Sequence, residues 1–257
     1  MTVLTSRDNP RVRRWRAMAQ DARVRRKEKR VLIEGEHLVA AFVDAGGKVE
    51  ALILSKSLAD GFGVLAKRCG KMPVVLADTV FRVIADTEAP AGIAAEIALP
   101  GATIELKNTA GCLFLEGIQD AGNAGTILRS AAAFGIRHAV LGKGCADAWS
   151  PKVLRAGMGA HFAMTIQENA DLAAAMESFG GKVACTVPRG GTPLAEADLS
   201  GRVGWLFGAE GGGVSAALAA RADLKISIPM PGGAESLNVA AAAAICFYEF
   251  SRRAARA

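Results

Sequence analysis

The chain has 257 residues, 51% of them hydrophobic and 5% aromatic. That is enough apolar material for one large core or two ordinary ones, and too much for a disordered chain. Its formal net charge of +6 is unevenly spread: residues 1–30 hold eleven Lys/Arg against three Asp/Glu, a local charge of +8, and the remainder carries −2.

The five cysteines are scattered without a CxxC pair, and the three histidines lack metal-ligand spacing. Free thiols in a reducing cytoplasmic compartment are therefore expected, with no disulfide scaffold and no metal. The longest apolar run, Val239–Tyr248, is too short to span a bilayer. The basic N-terminus lacks the apolar stretch of a signal peptide.

Taken in chain order, the first feature is the basic segment, with Arg11, Arg13, Arg14 and Arg16 followed by a second run from Arg23 to Arg30. Like charges this dense repel unless a partner neutralises them, which points to a polyphosphate such as RNA. A solvated helix face is the plainer alternative. From Arg30 to Leu99 short β-rich runs alternate with helical ones. Strands are expected at Val31–Glu34, Val49–Leu54, Pro73–Leu76 and Gly92–Ile97, and helices at Glu36–Ala45, Leu58–Arg68 and Asp78–Ala85. This gives an N-terminal unit over 1–99, comprising the basic arm and a small α/β domain. Pro100-Gly101 opens a polar linker over 100–109.

A larger unit follows over 110–257. Its expected strands are Cys112–Leu115, His138–Leu141, Phe162–Ile166, Lys182–Thr186, Val203–Phe207 and Leu224–Ile228. Helices are expected at Ala124–Phe134, Pro151–Met158, Leu172–Phe179, Val214–Arg221 and Leu237–Arg253. Strands alternating with helices predict a mostly parallel sheet with helices on both faces, an α/β architecture that binds ligands at the carboxyl ends of its strands. No intact GxGxxG follows a strand, and no GxxxxGK[ST], GxSxG or HExxH is present. Dinucleotide oxidoreductases, P-loop NTPases, serine hydrolases and zinc proteases are disfavoured accordingly.

Three segments remain. Asn123-Ala124-Gly125-Thr126-Ile127-Leu128-Arg129 follows an apolar strand, with Asn123 placed to cap a helix that carries Arg129. Phe207-Gly208-Ala209-Glu210-Gly211-Gly212-Gly213-Val214 runs from a strand through glycines, whose backbone can approach a ligand closely. Ile228-Pro229-Met230-Pro231-Gly232-Gly233-Ala234-Glu235-Ser236-Leu237-Asn238-Val239 delivers Ser236 and Asn238 to a helix start. Each alone reads equally as a capped or flexible turn. In this order and spacing they resemble the three signature motifs of the SpoU–TrmH family of RNA ribose methyltransferases, in the SPOUT superfamily. Ser150–Ala160 is similar to the family's stretch between its first and second motifs. The start, Ser6–Val12, and the strand ending Glu34-Gly35 more loosely resemble the N-terminal RNA-binding domain of many members, which has a small ribosomal-protein fold.

The resemblance implies a C-terminal trefoil knot, although topology rules normally exclude knots. It implies S-adenosylmethionine bound mainly through backbone groups at Thr186, Gly208, Ile228, Met230 and Leu237. It also implies a homodimer with a shared active site, and RNA contacts from Arg7, Asn9, Arg11, Arg13, Arg14, Arg30 and Arg155. The catalytic set carried over is Arg129, Asn123, Glu210, Ser236 and Asn238. The family often proposes this arginine as the base, but a guanidinium pKa above about 12 makes its neutral form costly to populate. Arg129 is therefore read as a clamp on the target phosphate that steers the 2′-hydroxyl, while Asn123 and Asn238 orient the nucleotide and Glu210 positions Arg129 or its loop. Two positions depart from the pattern: Ala240 and Gly157 stand where serine is common. The expected activity is methylation of a ribose 2′-hydroxyl in structured RNA, ribosomal ahead of transfer RNA. The alternatives are a non-catalytic RNA- or ribosome-binding protein and a nucleobase methyltransferase of the same superfamily.

Overall fold

The two expected runs of alternating strands and helices form two separate sheets of different character in the computed structural model, which describes residues 3–101, 104–233 and 235–254. One compact unit contains Met1–Gly101 together with Trp149–Phe162; the other contains Ala102–Ala148 and Ala163–Ala257.

In the first unit, strands β1 (Val3–Leu4), β2 (Arg30–Glu34), β3 (Val49–Ser55), β4 (Val74–Leu76) and β5 (Ile93–Ala98) form a sheet of order β1-β4-β3-β5-β2. β1, β4 and β3 are parallel, and β5 runs antiparallel to both its neighbours. The basic segment is not a detached arm. Residues 10–20 form helix α1 (Pro10–Gln20), which buries Val12, Trp15 and Met18. Pro10 opens the helix, and Asn9 caps it by accepting from the Arg11 amide at 3.0 Å. A second helix, α2 (Ala22–Glu28), follows. Val12, Trp15 and Met18 pack with Leu32, Ile53, Leu76, Val80, Phe81 and Ile84 in the core of the unit. Further helices are α3 (Glu36–Asp44), α4 (Gly63–Cys69) and α5 (Asp78–Ile84). The helix expected over Leu58–Arg68 is divided, because Lys56–Phe62 forms a 3₁₀ stretch before α4.

Much of the expected RNA-binding charge has a partner inside this unit. Glu96 on β5 is 5% exposed. It accepts Arg14 Nη2 at 2.5 Å, Arg14 Nη1 at 3.0 Å and Trp15 Nε1 at 2.8 Å. Arg14 also pairs with Glu28. Arg30 lies between Glu50 at 3.6 Å and Glu96 at 3.8 Å. Arg155, on α7 (Pro151–Gly157), pairs with Asp86 at 3.3 Å. Asn9, Arg14, Arg30 and Arg155 thus have intramolecular roles that account for their placement. Arg7, Arg11 and Arg13 are exposed, with Arg11 lying 5.0 Å over the Trp15 ring.

The second unit holds seven strands in the order β10-β12-β9-β11-β6-β7-β8, every neighbouring pair parallel. They are β6 (Gly111–Leu115), β7 (His138–Gly142), β8 (Thr165–Ala170), β9 (Lys182–Thr186), β10 (Thr192–Pro193), β11 (Val203–Phe207) and β12 (Leu224–Ser227). All five residues of β11 are buried, which explains its unbroken apolar run. The helices are α6 (Ala121–Ala133), α8 (Leu172–Phe179), α9 (Ala216–Ala219) and α10 (Val239–Ala254). Phe114, Phe179, Val183, Cys185 and Leu206 belong to one core cluster. Trp205 and Phe207 meet Phe247 of α10 edge-on, with ring centroids at 6.3 and 5.6 Å. The strand expected at Phe162–Ile166 begins only at Thr165, because Phe162 instead packs against Phe42 at 5.1 Å in the first unit. In the expected linker, Leu106–Asn108 forms a 3₁₀ turn, and Arg202 donates to the Leu106 and Thr109 carbonyls, both at 2.8 Å. Among the described residues, no helix is long and apolar enough to cross a membrane.

Glu96 supplies a test of what holds the first unit. Burial pushes its carboxyl up, but the hydrogen bonds from Arg14 and Trp15 and the nearby guanidinium charges outweigh this and hold it below the usual carboxylate range. A depressed folded-state value means that the contribution is complete above the unfolded value and is lost as pH falls through the folded one. Glu96→Gln is expected to cost about 2–3 kcal/mol at neutral pH, since it weakens a charge-assisted network around a buried group. As pH falls below the ordinary carboxylate value and through the lower folded one, the gap between the variant and the parent is expected to close. Melting curves across pH 3–7 check this, and a pH-independent gap would contradict it.

Candidate functional site

The site lies where β6, β9, β11 and β12 deliver their carboxyl ends. In a parallel sheet these ends face one edge, and the strand order there reverses: β6 leads outward to β7 and β8, while β9 and β12 lie on the other side of β11. A crevice at such a switch point is where ligands bind. Here it is a pocket of ≈ 390 Å³ lined by Thr186 at the end of β9 with Val187 and Pro188 after it, Gly208–Glu210 after β11, and Ile228, Met230 and Ser236–Val239 after β12. The volume suits a small organic ligand. All five expected donor-binding positions, Thr186, Gly208, Ile228, Met230 and Leu237, line it, as do Glu210, Ser236 and Asn238. Ala234 of the third motif lies outside the described residues.

The three motifs meet in one hydrogen-bonded cluster. Asn123 Nδ2 donates to Glu210 Oε1 at 2.5 Å. Asn238 Nδ2 donates to the same oxygen and to Asn123 Oδ1, both at 3.0 Å. Asn238 Oδ1 meanwhile accepts the Ala240 amide at 2.9 Å and the Ala241 amide at 3.3 Å, capping α10. One asparagine therefore starts a helix and ties the pocket rim. Asn123 does not cap α6, as the sequence suggested. Asp120 does so by accepting the Asn123 amide at 2.7 Å, which leaves the Asn123 side chain available for Glu210. Ala240, in the first turn of α10, is buried.

Arg129 is not brought to this pocket. It lies on the exposed face of α6, has no hydrogen-bond or ion-pair partner among the described residues, and is absent from the pocket lining. Glu210 is the one acidic or basic side chain among the lining residues. The pocket wall therefore favours a cationic or neutral ligand over a polyphosphate, which needs Lys, Arg or a cluster of amide donors. Among the described residues no group of three His, Cys, Asp or Glu side chains comes together. The cysteines are unpaired, and burial pushes the Cys112 and Cys246 thiols up to about 12.

Gly208 has a different reason for being glycine than close approach to a ligand. A Cβ placed on it would stand 2.0 Å from the Gly213 carbonyl oxygen and 2.2 Å from the Val214 nitrogen. The 208–214 loop folds back on Gly208, and Gly213 N donates to Ala209 O at 2.8 Å to close the turn. Even alanine must displace backbone here, at a cost of about 1–3 kcal/mol. Gly208→Ala is accordingly expected to weaken ligand binding at the pocket by roughly tenfold or more, by distorting the loop. Gly212→Ala, whose Cβ meets nothing within 4 Å, is expected to bind normally. Calorimetry on the two variants checks the contrast, and equal behaviour would contradict it.

Comparison with known proteins finds one family match in each half of the chain. Residues 111–248 match the SpoU rRNA Methylase family, and residues 9–95 match the MRM3-like substrate binding domain. The chain is 34% identical over 250 residues to the 23S rRNA (guanosine(2553)-2′-O)-methyltransferase RlmP of Bacillus subtilis (strain 168), covering 96% of this chain and 98% of that one. The AdoMet-bound rRNA methyltransferase from Sinorhizobium meliloti superposes with a TM-score of 0.84 at 27% identity, covering 98% of each chain. An RNA 2′-O ribose methyltransferase superposes with a TM-score of 0.81 at 26% identity, covering 99% of this chain and 100% of that one. With its α/β fold, its parallel seven-stranded sheet and a family match spanning more than half its length, the chain belongs to the SpoU rRNA methylase family.

Proposed function

We propose that this protein transfers a methyl group from S-adenosylmethionine to a ribose 2′-hydroxyl of RNA, with ribosomal RNA as the substrate class, and without a metal ion. The observation that carries the reading is the convergence of Asn123, Glu210 and Asn238, from three separate motifs, on the rim of one pocket lined by Thr186, Gly208, Ile228, Met230 and Leu237. RlmP of B. subtilis, named for ribose methylation of 23S rRNA, supports the substrate class. The AdoMet-bound S. meliloti enzyme supports the donor. Location in the cytoplasm follows from such a substrate and accords with unpaired cysteines.

The residues present fit the donor. Val187, Val214, Ile228, Met230 and Leu237 offer apolar walls, and the 208–213 glycine loop exposes backbone groups. The Glu210 carboxylate suits a cation. S-adenosylmethionine, when bound, supplies an electrophilic sulfonium methyl. The protein's part is alignment: Asn123 and Asn238 hold Glu210 and present the nucleotide, and Ser236 at the rim offers a hydroxyl to it. Arg129 grips a phosphate of the target through its planar fork and steers the 2′-hydroxyl, whose proton leaves late, to phosphate or water.

The reading includes a homodimer that shares its active sites. Its support is that α6 and α10 pack together, while Ile245 (40% exposed) and Tyr248 (55% exposed) on α10 and Arg129 on α6 remain exposed. An exposed arginine that does not line its own pocket, on a helix packed against one that carries exposed apolar side chains, fits a role in a partner's pocket. The C-terminal trefoil knot of the family belongs to the same reading. So does RNA contact through the exposed cations of the first unit, among them Arg7, Arg11, Arg13, Arg16, Arg23 and Arg26.

Nucleoside analysis of the methylated product tests the activity: a 2′-O-methylated nucleoside is expected, and a base-methylated one would overturn the reading. Transfer is expected to continue when divalent ions are chelated and the RNA fold is kept with monovalent salt. Arg129→Ala is expected to retain donor affinity and lose transfer, while Asn238→Ala loses donor affinity. Mixing the two after dissociation and reassociation makes about half of the dimers mixed, so activity is expected to return to roughly a quarter of the parent level. Verified exchange without recovery would place both residues in one subunit's site. Arg13→Glu with Arg23→Glu is expected to weaken RNA binding and to reduce its salt slope by about 1 per residue, with donor affinity unchanged. An unchanged slope would remove α1 and α2 from the RNA contact. Deleting residues 1–30 is not an equivalent test, because it removes Val12, Trp15 and Met18 from the core.

A further inference from the structure

We propose that Glu116 is a positioning residue for the donor pocket: it fixes the 208–215 loop from outside, so that donor affinity depends on a side chain that does not line the pocket. The proposal rests on the reading of that pocket as a methyl-donor site. It starts from a loop that has little order of its own. Gly208, Gly211, Gly212 and Gly213 fall within six residues, and Gly211 and Gly213 adopt φ of +79° and +63°. Such a segment is held by its neighbours or not at all.

Three ties are visible. Within the loop, Gly213 N bonds to Ala209 O at 2.8 Å. On the pocket side, Glu210 is gripped by Asn123 and Asn238. At the far end, the Ser215 amide donates to Glu116 Oε2 at 2.8 Å. The last tie is anchored on rigid backbone. Glu116 directly follows β6, and its own amide donates to the Phe207 carbonyl at 2.9 Å. The Glu116 backbone is thus attached to β11 at the residue before Gly208, while its carboxylate reaches Ser215 at the other end of the loop. The next residue, Gly117, has φ +64°, and a Cβ there would lie 3.6 Å from Ala209. Residues 116 and 117 therefore run alongside both ends of the loop and close it into a ring.

The Glu116–Ser215 bond is exposed. An exposed hydrogen bond contributes little to global stability, because water replaces either partner. Its loss releases the loop without unfolding the sheet, which separates positioning from scaffolding. Ser215 also allows an independent cut. Its φ of −59° matches that of proline, so Ser215→Pro removes the N–H donor at a compatible backbone angle. It also removes the hydroxyl that accepts the Leu218 amide, whereas Ser215→Ala removes that hydroxyl alone.

The experiment measures S-adenosylmethionine affinity by calorimetry, amide hydrogen exchange across residues 209–216, and melting temperature, on the full chain. Glu116→Ala is expected to weaken donor binding by about 3–10-fold and to speed exchange in the loop alone, with the melting temperature within about 2 °C of the parent. Glu116→Gln, which keeps an acceptor oxygen, restores most of both. Ser215→Pro reproduces Glu116→Ala, Ser215→Ala does not, and the double variant Glu116→Ala/Ser215→Pro is no worse than the weaker single one. The proposal is overturned by parental loop exchange in Glu116→Ala, by faster exchange throughout the sheet, or by additive losses in the double variant. If Glu116→Ala fails to fold, Ser215→Pro against Ser215→Ala decides the question. Absence of donor binding by the parent would sink the methyl-donor reading instead, and loop exchange would still judge Glu116.

Discussion

The site depends on one constraint: β11 is inserted between β6 and β9 and is hydrogen-bonded to both along its length. A strand buried on both faces and both edges has no freedom of register, since a slip by one residue would turn Val203, Trp205 and Phe207 to the opposite face. The aromatic stack of Trp205 and Phe207 against Phe247 fixes α10 to the same strand. The glycine loop leaving Phe207 therefore starts from a buried strand that is held on both edges. Its position relative to the ends of β6 and β9 is set by the sheet, not by the loop.

On that base, the polar cluster has a defined task. Glu210 receives both asparagine amides on a single oxygen, so that one carboxylate joins the segments after β6, β11 and β12. Each segment contributes a group that is also needed locally. Asn238 caps α10, Asp120 caps α6 and releases Asn123, and Gly208 lets the loop fold over itself. Local folding and site assembly use the same atoms, which leaves few ways to alter one without the other. The cluster also determines the electrostatics of the pocket. A lone carboxylate on a wall otherwise made of backbone and apolar side chains favours a compact cation.

The first unit shows a different use of charge. A segment with a local excess of arginine folds because part of that charge is neutralised internally. Glu96 takes Arg14 and Trp15 on a buried strand, Glu28 shares Arg14, and the buried Arg25 donates to the Met18 carbonyl. The remaining cations stay exposed on α1 and α2. One sequence run thus divides into guanidinium groups that hold the unit together and others that remain available to an anionic surface.

The sequence by itself determined the strand and helix alternation, the two-part organisation, and the three motifs with their glycines, because these follow from local periodicity and turn chemistry. Lys182–Thr186 and Val203–Phe207 are strands with the bounds their apolar runs suggest. What it left open depends on partners distant in the chain. No pattern within residues 1–30 distinguishes Arg14 from Arg13, because Glu96 lies 82 positions after Arg14 and meets it only through the packing of α1 on β5. Asn123 reads as a cap until Asp120 takes the amide and Glu210 takes the side chain. Trp149–Phe162 sits between two motifs of the second unit, yet it packs with the first. Glu116 carries no motif signal at all. Its role arises from the proximity of Ser215, 99 residues later, and only a sheet that places β11 beside β6 brings the two together.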